Sequence, residues 1–240
     1  MFQTQSRAYY KSEANAAMKG QYPSVILFGV ITLVLTAAVS LIGNLFAPTV
    51  EGTTMIDPGI PFLYLLFSIV LFCLSALIVY GYTKLFYAIT HRQVIDVQAL
   101  LITPLQEQPF RSILLRFLET VFIFLWSLLL IIPGLIKTYA YAMSFYYIMR
   151  GEQDPLTAIT LSRKTMSGHK LELLLLDLSY IGWYLLGLFT FGLLYIWIVP
   201  RHMTARMLMF NDLYGDPVQM DVESRTKRDI SDDPFAAYER

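Results

Sequence analysis

Apolar residues in this chain come in long unbroken runs. Positions 24–47 and 61–83 contain no charged residue, and at 1.5 Å per residue each run exceeds the ~20 residues a helix needs to cross the hydrocarbon core of a bilayer. Two further blocks, 117–149 and 171–210, are nearly as apolar but carry turn residues midway, Pro133-Gly134 in the first and Gly187 to Gly192 in the second. Between the first two runs, PTVEGTTMIDPGI at 48–60 reads as a short loop. From 92 to 116, Asp96, Pro104, Glu107, Pro109 and Arg111 interrupt the pattern, so this stretch reads as a loop with interfacial pieces.

Hydropathy alone leaves two counts open. If each of the two interrupted blocks is one kinked helix, the chain spans four times; if each folds back at its turn, it spans six times. Charge placement decides between them, because Lys and Arg in short loops are retained on the cytoplasmic side. With six spans the external connections 48–60, 133–136 and 188–192 hold no Lys or Arg, while Arg150, Arg163, Lys164 and Lys170 fall inside. Lys137, just past a turn, is the exception. The expectation is an all-α, polytopic transmembrane bundle with spans at about 24–47, 61–90, 112–132, 135–150, 171–188 and 193–212 and both termini cytoplasmic.

Two elements outside the spans are expected to be helical. The first lies in 5–19, within an N-terminal cytoplasmic segment 1–23, and reads as an amphipathic helix on the membrane surface that Gly20 and Pro23 end. The second begins at Asp154 as an N-cap with Pro155 in the first turn, and stops at Gly168. Residues 213–240 read as a disordered cytoplasmic tail.

Composition agrees with the membrane reading, since 56% of the 240 residues are hydrophobic and 15% are charged, against about 25% charged in soluble domains. Eighteen basic and eighteen acidic residues cancel, which gives no global field for nucleic acid. The single cysteine, Cys73, excludes an intrachain disulfide.

Pro133-Gly134 leads into a Tyr-rich helix, Asp154-Pro155-Leu156-x-Ala158-Ile159-x-x-Ser162-Arg163 follows, and Met166-x-Gly168-His169-Lys170 precedes an apolar run with Gly182-Trp183. These residues carry a resemblance of the stretch 133–200 to the bacterial membrane proteins grouped as domain of unknown function 975. It extends weakly to Ala17-Met18-Lys19-Gly20. It implies a multi-span protein of the bacterial cell membrane, typical of Gram-positive bacteria, without an assigned activity.

Ionisable side chains within spans are the natural candidates for function, because an unpaired charge there costs at least about 2.5 kcal/mol. Antiparallel packing about the two turns places Glu119 level with Tyr147 and Arg150, and Asp177 level with His202 and within one turn of Arg201 and Arg206. Charge neutralisation that holds each hairpin together is preferred over proton or ion movement. Lys137, Arg163, Lys164 and Lys170 are candidates for contact with lipid headgroups, anionic ones included. His91, His169 and His202 lack the spacing of a helical zinc pair, and no nucleotide loop, nucleophile elbow or zinc-protease motif occurs. No catalytic residue, cofactor or metal is therefore expected, and the chain is not read as an enzyme. The expected role is a scaffold or accessory protein of the cell envelope with a possible membrane-protein partner. The alternative is a small transporter or channel component using Glu119 and Asp177.

Overall fold

The computed structural model describes residues 5–44, 59–93, 95–190 and 192–215, and every regular element among them is helical. The expected loop at 48–60 lies almost wholly, and the expected tail at 213–240 mostly, outside the described residues.

Helix α1, Arg7–Ala17, is started by Ser6, whose hydroxyl accepts from the Tyr9 amide at 3.2 Å. It is followed by a turn in which Gly20 takes φ +81°. Pro23 lies in the first turn of α2, Tyr22–Asn44, where a proline needs no amide partner. The apolar face of α1 is not laid on lipid: Tyr10, Ala14 and Ala17, at helical spacing, are buried against α11, Tyr195–Tyr214.

Helix α2 packs on α3, Gly59–Thr90. Phe28 meets the Tyr82 ring edge-on at 4.9 Å, and Thr32 shares a hydrogen bond with the Tyr82 hydroxyl at 3.1 Å. The expected loop at 92–116 is largely helical, forming α4, Val97–Gln106, and the start of α5, Pro109–Leu129. Two supposed breakers act as starters here. The Asp96 carboxylate accepts from the Gln98 amide at 2.9 Å, and Pro109 occupies the first position of α5.

The first turn comes three residues earlier than Pro133-Gly134. Leu130 is extended, at φ −163° and ψ 147°, and α6, Ile131–Ala140, follows immediately. Pro133 is the third residue of α6, where its missing N–H would have had no helical partner anyway. Gly134 permits the close hairpin, since a Cβ there would lie 2.1 Å from Ser127 Oγ and 3.0 Å from Ser127 Cα.

Past a break at 141–143 lies α7, Ser144–Met149, and then α8, Pro155–Thr165. Asp154 caps α8 by accepting from the Thr157 amide at 2.9 Å and the Thr157 hydroxyl at 2.7 Å. Gly168, at φ +93°, follows it. Buried Ser162 of α8 satisfies the α6–α7 break, donating to the Ala140 carbonyl at 2.8 Å and accepting from the Met143 amide at 3.1 Å. Helices α9, Lys170–Leu178, and α10, Ile181–Phe189, form one rod with a tightened turn at Ser179-Tyr180. Gly192, at φ +85°, lies in the turn to α11.

Among the described residues, three stretches are long and apolar enough to cross a membrane, Tyr22–Gly43, Tyr64–Thr90 and Lys170–Phe189. That is fewer than the six expected from sequence. Helix α5 carries Arg111, Arg116 and Glu119; α6 and α7 are interrupted; and α11 carries Arg201, His202, Arg206 and Asp212. Burial is uneven. Tyr10, Met18, Phe28, Leu85, Ile89, Tyr146, Leu173 and Leu176 belong to the main core, while Leu33, Leu41, Phe62, Leu128 and Phe189 lie open on the surface. Exposed apolar surface on this scale marks a membrane or protein contact.

Candidate functional site

Asp177 near the end of α9 and His202 in α11 form the centre of the most connected polar cluster. His202 Nε2 lies 2.7 Å from Asp177 Oδ1, and His202 Nδ1 lies 2.8 Å from the Tyr184 hydroxyl of α10. An ionised carboxylate only accepts, so Nε2 carries the proton and, in the neutral imidazole, Nδ1 accepts from Tyr184. The Tyr180 ring stacks on the imidazole at 4.6 Å. Arg206, one helical turn past His202, places its guanidinium 3.7 Å from Asp177 Oδ2. The Tyr139 hydroxyl of α6 lies beside the same carboxylate. The Tyr195 hydroxyl donates to the Tyr184 carbonyl at 3.1 Å. Helices α6, α9 and α11 therefore meet at this carboxylate, and α10 joins them through His202.

Arg201 is not part of this cluster. It donates to the Tyr22 hydroxyl at 2.6 Å and lies over that ring, tying α11 to the start of α2. Nor does the structure bring Glu119 to Arg150. The depth argument matched their levels but not their directions around the helix. Glu119, 6% exposed, faces the Ser144 hydroxyl and Arg116. Arg150 bonds the Tyr87 hydroxyl and lies between the Tyr87 and Tyr214 rings, 5.4 and 4.8 Å from their centroids.

Lys137 lies 4.2 Å over the Trp126 ring, on the facing helix of its hairpin. Arg163 and Lys164 are exposed at the end of α8, with Lys170 half-buried beside them. Among the described residues no three His, Cys, Asp or Glu side chains converge on a possible metal position.

A second cluster, unread in the sequence, fixes the end of α11. Buried Asn211 accepts from the Tyr146 hydroxyl at 3.0 Å and donates to Thr90 Oγ1 at 2.9 Å. Asp212 accepts from the Tyr10 hydroxyl at 2.8 Å. Burial first, and then the Asp212 carboxylate, push the Tyr10 hydroxyl well above its ordinary pKa. Lys11 donates to the Ser179 carbonyl at 3.1 Å and lies over the Tyr180 ring, and burial, then Arg7, pull its ammonium pKa down. An Asn-Asp pair inside an apolar helix is the one sequence signal that pointed here.

The Asp177 cluster lies wholly within 128–215, and that stretch matches the family model described as Protein of unknown function (DUF975). This part of the chain is similar to the DUF975 family. Glu119 precedes the matched segment, and so do α1 to α4. No curated protein and no solved structure matches the chain.

Proposed function

We propose that the chain is a six-span protein of the bacterial cell membrane, with both termini cytoplasmic, that serves as a non-enzymatic scaffold or accessory protein of the envelope. The observation that carries the reading is the engagement of Asp177 by side chains of its own bundle. His202 and Arg206 of α11 pair with this carboxylate beside Tyr139 of α6, and Tyr184 of α10 joins through His202, so the charge serves to hold helices together. Helix pairs α5–α6 and α9/α10–α11 supply the two hairpins that six spans require. The exposed apolar side chains of α2, α3, α5 and α10 supply a surface for lipid or a membrane-protein partner. Arg163, Lys164 and Lys170 meet anionic headgroups on the inner face, each contributing on the order of 1 kcal/mol.

The test is in-membrane photocross-linking of the full chain from probes at Phe189 and Leu128, which are exposed, and at Leu176, which is buried. A discrete protein adduct from the exposed positions, absent from Leu176, supports the accessory role. Adducts to lipid alone from both exposed positions count against it.

A further inference from the structure

Glu119 differs from Asp177 in what surrounds it. Gln108, immediately before α5, and Ser112, Arg116 and Glu119 within it recur at intervals of four, four and three residues, which places them on one face over about 16 Å. Ser112 is fully buried and Glu119 is 6% exposed. Three atoms on this face, Gln108 Oε1, Ser112 Oγ and Arg116 Nε, are buried without a hydrogen-bond partner among the protein atoms. Buried polar groups in native proteins are nearly always bonded to protein or to ordered water. A row of three unpartnered ones leading to a carboxyl group is the pattern that water completes.

Ser144, at the far end of this row, donates its hydroxyl proton to the Tyr141 carbonyl at 2.8 Å and lies beside the Glu119 carboxyl.

The neighbouring elements bring few charges to Glu119. On its own helix there is Arg116; the α6–α7 junction brings Tyr141 and α7 brings Ser144. From α8, Arg163 acts on the Tyr141 hydroxyl, as Glu119 does. Helix α3 turns Tyr80 and Lys84 to Glu107, after the end of α4 and next to Gln108, at the opposite end of the track. Lys137 of α6 is held over Trp126.

We propose that Glu119 is a proton-binding site, and that water held along the Gln108–Ser112–Arg116 face of α5 connects it to solvent at the Gln108 end. Under the six-span reading, on which only the sidedness rests, that end is cytoplasmic. The proton moves between the carboxyl and bulk solvent by exchange along the water, with no other reactant.

The experiment is infrared spectroscopy of the full chain in lipid nanodiscs, with the Glu119 carbonyl band assigned by its loss in Glu119→Gln and, should that variant misfold, by its displacement in Glu119→Asp. The band is expected to follow bulk pH and to shift within the mixing time on transfer to heavy water. Ser112→Val, which removes one of the two to four partners an ordered water needs, is expected to slow the shift by at least about tenfold. A Glu119 signal that ignores bulk pH and heavy water for hours overturns the proposal, as does wild-type exchange speed in Ser112→Val. Topology reporters read the span count separately, so failure of the six-span reading is distinguishable from failure of this site.

Discussion

Asp177 Oδ1 and His202 Nε2 are 2.7 Å apart, joining the ninth and eleventh helices of the chain across a mostly apolar bundle. Removing one member of such a pair leaves the other's polar group without its partner, a loss of roughly 3 kcal/mol for buried pairs. Asp177→Leu is therefore expected to lower stability in detergent by about that amount, because it strips acceptors from both His202 and Arg206. His202→Phe keeps the ring that stacks on Tyr180 and loses two hydrogen bonds, which is expected to cost about 1–3 kcal/mol. The double variant is expected to be less destabilised than the sum, since the two residues share one interaction. Denaturant titration of the three variants checks this, and additive losses would show that the pair is not a unit.

The Gly134 prediction concerns shape alone. A methyl group at 134 collides with Ser127, both its hydroxyl and its main chain. Gly134→Ala is expected to destabilise the α5–α6 hairpin by about 1–3 kcal/mol, as overpacking does elsewhere. Adding Ser127→Ala relieves the Oγ contact but not the one with Cα, so rescue is expected to be partial. Thermal unfolding of the single and double variants measures it.

Much of this was legible in the sequence where the chemistry is local. Asp154, Pro155 and Gly168 are a start signal and a stop signal that act within four residues of themselves, and depth along antiparallel helices sufficed to associate Asp177 with His202 and Arg206. Direction around the helix is set by packing, which is why Glu119 and Arg150, matched in depth, face Ser144 and Tyr87 instead. Asp96 and Pro109 were misread because the residues that end one helix also begin another. Pro133 was misread because a proline in a first turn costs nothing there. The clasp of Tyr10 on Asp212 joins residues 202 positions apart, and no local pattern signals it.

That clasp has a pH dependence. The Tyr10 hydroxyl titrates higher in the folded chain than in the unfolded one, so its contribution is complete below the ordinary tyrosine value of about 10 and is lost as pH rises past it. Helix α1 is expected to become accessible to protease at Arg7 and Lys11 at alkaline pH. Tyr10→Phe is expected to weaken α1 by about 1 kcal/mol at neutral pH and to abolish this part of the alkaline response. An unchanged alkaline response in Tyr10→Phe would assign it elsewhere.

Asp154 behaves oppositely. Hydrogen bonds from the Thr157 hydroxyl and amide hold its carboxyl below the usual carboxylate range, so the cap stabilises α8 above that range and is lost as pH falls through it. Amide hydrogen exchange at Ala158 and Ile159, taken relative to the intrinsic rate at each pH, is expected to quicken on acidification in the wild type. In Asp154→Ala it is expected to be fast throughout.

The span count is tested most directly by reporters of sidedness placed after Gln153 and at the C-terminus of the full chain in the same membranes. Six spans with a cytoplasmic start put both reporters in the cytoplasm. A C-terminus outside, with Gln153 inside, would mean that only the three longest apolar stretches cross. Gln153 outside would mean that each hairpin is one kinked helix, and either result would contradict the account.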